Sequence, residues 1–190
     1  MLDFLAPGSV NAEPQFIEEN LMTIEEAIKT ALQYERRVVT VYEEAAKGSL
    51  DPTGKRVFAT LVEEEKKHVE YLESRLREWK ATGRLEPVAL SSVVPPAARI
   101  EEGIGKLKSR VATKAKETEV RLLKRALDVE VETSRFYEGV VKELPPEGRQ
   151  LFERFVEIEH GHQAIVQAEM DSVSGSGFWF DVQEFTMDGG

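Results

Sequence analysis

Phe58-x-x-Leu61-Val62-x-x-Glu65-x-x-His68 returns later in the chain as Phe152-x-x-Phe155-Val156-x-x-Glu159-x-x-His162. The apolar residues recur at helical spacing, so both stretches are helices with one buried face. Each Glu and His sits where that face demands an apolar residue. A three-residue step turns a helix by about 300°, so the two side chains project from one face, a turn apart. Outward from this pair the repeat continues. Ala31-Leu32-x-x-Glu35 with Tyr42 precedes the first copy, and Ala126-Leu127-x-x-Glu130 with Tyr137 precedes the second. Each half thus offers a lone Glu on one helix and a Glu-x-x-His on the next. Four such helices bring four carboxylates and two imidazoles together, the ligand set of a carboxylate-bridged two-metal site in a four-helix bundle.

Burying ionised carboxylates costs several kcal/mol each unless something compensates, and two divalent cations would do so. A lone Glu-x-x-His on a helix is ordinarily chance; two in matching frames are not. The last helix carries an overlapping match, Glu157-x-x-His160, which the repeat rejects. Phe152, Phe155 and Val156 align with Phe58, Leu61 and Val62, so Glu159 and His162 stand opposite Glu65 and His68. Glu157 falls two positions off the stripe, which predicts that it and His160 face solvent or support the ligands. The expected metal ligands are Glu35, Glu65, His68, Glu130, Glu159 and His162, on metals roughly 3.5–4 Å apart. Ring nitrogens not on metal are expected to bond a carboxylate or carbonyl. Tyr42 and Tyr137, two turns after Glu35 and Glu130, share their faces. They are the candidate catalytic residues, either bonding a ligand carboxylate or carrying a radical; a core tyrosine with a satisfied hydroxyl is the plain alternative.

The expected fold is all-α. Thr23 and Glu26 form a capping box that opens the first long helix, and Gly48 closes it. Asp51-Pro52 caps and starts the second, which Gly83 ends. The short link makes these two antiparallel neighbours. Pro87, Ser91, Ser92, Pro95 and Pro96 break any helix and mark a long crossover to the third. Residues 99–117, rich in Lys and Glu, read as helical, at the simplest an extension of the third helix, and the Lys/Glu run over 99–119 reads as a solvated helix face. The third helix ends near Leu144, and the fourth runs from about Glu147 to Val173. The expected division is an arm over 1–22, the bundle over 23–173 and a tail over 174–190. Ser174-Gly175-Ser176-Gly177 reads as a flexible joint, and the apolar Phe178–Phe185 stretch as a segment that docks on this subunit or a partner. Glu43, Glu63, Glu64 and Glu138 read as solvated.

The 190 residues are 41% hydrophobic and 32% charged, with a formal net charge of -10. The acidic balance argues against nucleic acid and anionic membranes. No cysteine is present, which excludes disulfides and thiolate metal sites. The start of the chain has no basic segment followed by an apolar run, and no 18 apolar residues run together. The cytoplasm is the default expectation for location, and a homodimer or higher homo-oligomer for assembly.

The residues at 31–35, 42, 58–68, 126–130, 136–137 and 159–162 together resemble the diiron domain of rubrerythrins, within the ferritin-like superfamily. The resemblance covers roughly residues 23–173. It implies a ferritin-like bundle with a long crossover between helices two and three, two iron ions (Fe2+/Fe3+) as cofactor, and chemistry on peroxide or dioxygen. It leaves two choices for the bridging pair, Glu65 with Glu159 or Glu35 with Glu130. Rubrerythrins also carry a rubredoxin domain with two Cys-x-x-Cys pairs, which this cysteine-free sequence does not contain. An external electron donor is therefore expected as partner. They often place a further Glu three residues after the third-helix ligand, where this chain has Thr133. What remains resembles a ferroxidase-type or bacterioferritin-type ligand set more closely. Manganese is the second candidate metal, since carboxylate-rich sites with two imidazoles select iron weakly. The expected function is oxidation of Fe(II) or reduction of peroxide or dioxygen. The alternatives are iron storage or detoxification, as subunit or cargo, and a non-catalytic metal-binding module.

Overall fold

Thr23 opens helix α1 (Ile24–Gly48) by accepting the Glu26 amide at 3.2 Å, while the Glu26 carboxylate takes the Thr23 amide at 2.9 Å. Asp51 likewise accepts the Thr53 amide at 2.8 Å and opens α2 (Pro52–Thr82). Gly83, at φ 65°, ends α2 in the left-handed region that glycine adopts without cost. The computed structural model describes residues 22–86, 88–107, 117–176 and 179. Three further helices complete it: α3 (Ala97–Leu107), α4 (Glu117–Glu143) and α5 (Pro146–Ser176). No strand occurs among the described residues. The third and fourth helices of the sequence reading are α4 and α5.

Side-chain pairs fix the directions. Tyr34 of α1 stacks on Phe136 of α4, while Tyr42, two turns on, reaches back to Glu130. Hence α1 and α4 are antiparallel. His68 and Tyr71 of α2 meet His162 and Phe155 of α5 in the same reversed order. With α1–α2 and α4–α5 joined by short turns, the order is up-down-down-up. This is the ferritin-like four-helix bundle, and its crossover lies between α2 and α4.

The crossover is laid across the seam between α2 and α5. Side chains of those helices hold its backbone. Tyr71 donates to the Val88 carbonyl at 2.9 Å, Arg154 to that of Leu90 at 3.2 Å, and the Val93 amide donates to Glu64 at 2.8 Å. Val94 is buried. A Cβ on Gly161 would stand 2.9 Å from the Pro95 carbonyl oxygen, so this position, next to His162, needs glycine. Two apolar clusters flank the middle of the bundle. One contains Tyr42, Phe58, Leu61, Leu123 and Ile165; the other contains Ile28, Leu72, Tyr137, Phe152 and Phe155.

Several expectations are corrected. Residues 97–107 form their own helix, α3, which packs on α5 through a fully buried Ile100 rather than lengthening α4. The Lys/Glu run is not wholly solvated. Glu119 is fully buried and accepts from the Leu50 amide at 2.6 Å and the Ser49 hydroxyl at 2.9 Å, tying α4 to the α1–α2 turn. Glu64 is buried too, because the crossover amide and Lys67, at 2.6 Å, both need its carboxylate. α5 continues through Ser174, Gly175 and Ser176, where a joint was expected. Of the tail, Trp179 is described: it is buried and meets Phe58 edge-on with ring centres 5.4 Å apart. The proposed arm over 1–22 lies outside the described residues except for Met22, as does the rest of the tail from 180.

Candidate metal centre

The bundle's middle layer is polar where the layers on either side are apolar. Glu35, Glu65, His68, Glu130, Glu159 and His162 are all fully buried there. Each arrives by the repeat: α1 and α4 give one carboxylate apiece, and α2 and α5 give a carboxylate and an imidazole one turn apart. Glu65, His68, Glu159 and His162 offer ligand atoms that all lie within 4.8 Å of one another. The two imidazoles are stacked, 5.4 Å apart and inclined by 14°. Glu65 stands between them, 3.1 Å from Nδ1 of His68 and 2.6 Å from Nδ1 of His162. Glu159 lies 3.5 Å and 3.9 Å from the same two nitrogens. Glu35 is on the His68 side, at 3.3 Å.

Tyr42 donates its hydroxyl to Glu130 and Tyr137 donates to Glu35. Each tyrosine shares a helix with one Glu but bonds the other helix's Glu. Sequence spacing alone could not show that crossing. It fixes both outer carboxylates across the α1–α4 interface. Elsewhere the layer is short of partners. Glu130 Oε2, both oxygens of Glu159, and Nε2 of His68 and of His162 have no hydrogen-bond partner among the described residues, while Glu65 Oε1 and Nδ1 of His162, 2.6 Å apart, meet each other as an ion pair. The expected acceptors for the far ring nitrogens are thus not found; Phe155 packs edge-on against His68 with ring centres 5.4 Å apart.

So many unpaired buried polar atoms are costly, and the protonation of the metal-free layer shows how the cost is met. Burial, then the charge of Glu65, pushes the carboxyl of Glu35 up to about 8 and that of Glu130 up to about 7. The same two causes raise Glu159 well above the carboxylate range. Glu65 goes the other way: burial raises it, but His162 and His68 outweigh burial and hold it well below. Burial lowers both imidazoles, yet the surrounding carboxylates, Glu65 foremost, lift His68 far above the usual range and raise His162. Protons therefore gather where cations would bind. Four carboxylates, two imidazoles and unpaired lone pairs converging on one buried layer fit a pair of divalent ions.

His160 stands apart: its side chain is 43% exposed and bonds Glu138 at 2.9 Å. Glu157 is exposed, as expected. Thr133 is buried and returns its hydroxyl to the Val129 carbonyl at 2.9 Å, leaving no fifth carboxylate on that turn. The residues that sequence reasoning missed are Glu64 and Glu119. Glu64 lies one position off the apolar stripe of α2, whereas Glu119, four residues before Leu123, is an acid on the stripe of α4 itself.

No curated protein and no solved structure gives a significant match to this chain. The family model for Rubrerythrin matches residues 7–76, which include α1, most of α2 and therefore Glu35, Glu65 and His68. The chain is thus similar to rubrerythrins over that part, and α4 and α5 repeat it and close the same buried layer in a bundle of ferritin-like fold.

Proposed function

We propose that this protein is a diiron oxidoreductase that oxidises Fe(II) with peroxide or dioxygen at the buried layer. The carrying observation is the convergence of four carboxylates and two imidazoles in one fully buried layer, where several of their polar atoms have no hydrogen-bond partner among the described residues. Glu65 and Glu159 each lie between the two imidazoles, which favours them as the bridging pair. Glu35 with His68, and Glu130 with His162, would then complete one metal each. Bound iron would supply the redox change and Lewis acidity.

The chain supplies the setting. The phenols of Tyr42 and Tyr137 hold Glu130 and Glu35 in place, so those carboxylates need not reorganise. Full burial excludes bulk water and strengthens each electrostatic contact. Reducing one peroxide to two waters takes two electrons and two protons. Without a cysteine in this sequence, the electrons that restore the site come from an external donor.

Metal content tests the assignment. Wild-type protein should hold two ions per chain, and Glu65→Ala or Glu159→Ala should fall toward one or none. Two ions retained in both variants would sink it. Peroxide should oxidise the bound Fe(II) once and then stall until a reductant or fresh Fe(II) is added. Repeated turnover with peroxide alone would contradict the need for a donor.

A further inference from the structure

The repeat that builds the site is broken at one pair of positions. Tyr34 and Phe136 flank the ligand layer on one side of the α1–α4 interface. By the offset that relates Glu35 to Glu130, their counterparts are Val129 and Val41. One side of the layer thus has two packed aliphatic residues, and the other a stack of rings. Tyr137, bonded to Glu35, lies 5.2 Å from Phe136 between ring centres. Phe136 lies 4.5 Å from Tyr34 and nearly parallel to it, at 12°. Tyr34 is half-buried, so the stack runs from a ligand carboxylate to the protein surface.

We propose that Tyr137, Phe136 and Tyr34 form a relay that discharges an oxidising equivalent from the site to solvent, with Tyr34 as the surface terminus. This rests on the function proposed above. Peroxide takes two electrons, and a site able to give only one is left short. Tyr137 then gives up one electron while its phenolic proton stays in the hydrogen bond to Glu35. Tyr34 refills Tyr137 through the Phe136 ring, and its own proton leaves to water. The neutral radical on Tyr34 returns to phenol by taking one hydrogen atom from a soluble donor of the ascorbate class. Phe136 is never oxidised; it shortens the gap between two phenols.

Two other ring paths leave the layer, and geometry ranks them lower. From Tyr137 through Phe155 to Tyr71 the first step is 4.8 Å, but the last is 5.9 Å, longer than either step to Tyr34 (5.2 and 4.5 Å). The Arg75 guanidinium also lies over the Tyr71 ring at 5.5 Å, and a cation there opposes removal of an electron. From Tyr42 through Phe58 the first step is 6.1 Å, and the path ends at Trp179, which is buried. Electron transfer falls steeply with distance, so the path whose longest step is shortest, and whose end is neither buried nor beside a cation, carries the traffic.

The test uses full-length protein loaded with Fe(II), treated with peroxide and a nitroso spin trap, then mapped by peptide mass spectrometry. Tyr34 should carry the trap in wild type, and ascorbate should remove the label. Phe136→Val, which copies the counterpart Val41, should lose the Tyr34 label. Its metal content and single round of iron oxidation should stay at the wild-type level. Tyr34→Phe keeps the stack but not the phenol, and should leave a longer-lived tyrosyl signal in electron paramagnetic resonance. A label concentrated on Tyr71 or Trp179, or a Tyr34 label unchanged in Phe136→Val, overturns the relay while leaving the metal reading intact. Wild-type protein that binds no metal or oxidises no iron overturns both.

Discussion

At the scale of single residues, the layer is governed by which side chains are denied water. His160 and His162 are two positions apart on α5, yet one is 43% exposed and the other fully buried. Only the buried imidazole meets Glu65. Changing His162 to Ala should therefore remove metal, as read by elemental analysis, while His160→Ala should leave the metal content at the wild-type value. Equal losses in both would refute the frame that the repeat assigns. The six buried residues of the layer were legible because a charged residue on an apolar stripe is conspicuous. The partners of Tyr42 and Tyr137 were not legible, since a face shared along one helix does not say which neighbour it meets. Glu64 was read as solvated because its need is set by a crossover amide 29 residues away.

At the scale of elements, caps and glycines wrote the helix boundaries into the sequence, and the strongest of them held. Thr23, Asp51-Pro52 and Gly83 act through local backbone chemistry, which leaves a local signature. The less legible elements depend on distant contacts. α3 exists as a separate helix because Ile100 finds a place in the core that no nearby residue announces. By contrast, α5 persists through Gly175, an exposed position with nothing packed against it, although glycine is a weak helix former. Glu119 belongs to this scale, since it joins the start of α4 to the turn between α1 and α2. Its carboxylate takes the amides of Leu50 and Asp51, at 2.6 Å and 3.3 Å. Glu119→Ala would strand those donors and the Ser49 hydroxyl, and should cost about 2–3 kcal/mol. Chemical denaturation would read that loss, and a change within a few tenths of a kcal/mol would show that the joint contributes little.

At the scale of the whole molecule, the polar layer sets how stability depends on pH. In the metal-free protein Glu35 and Glu130 titrate at about 8 and about 7, against an ordinary 4.5. Across that interval the folded chain binds more protons than the unfolded one, so stability falls as pH rises from 4.5 toward about 8. The raised imidazoles of His68 and His162 act in the same direction above 6.5. Glu65 has the opposite sign, and its contribution is lost only as pH falls below 4.5. Metal displaces these protons, so uptake should release acid and tighten as pH rises. Thermal melts of metal-free protein over this range should show Tm falling with pH, and loaded protein should not follow. A metal-free Tm that climbs through the same range would contradict the protonation of the layer.

The crossed hydrogen bonds from Tyr42 to Glu130 and from Tyr137 to Glu35 make the centre a joint rather than a pocket. Neither half of the chain owns the whole candidate site: α1 and α2 bring three of the six candidate ligands, and α4 and α5 bring the other three. Metal occupancy is then a readout of whether the two halves have found each other. A chain severed between Leu107 and Glu117 should take up ions only when both fragments are mixed, and bound metal should in turn hold the fragments together. A bound cation would act as a rivet, and the protein would report its own assembly by being loaded.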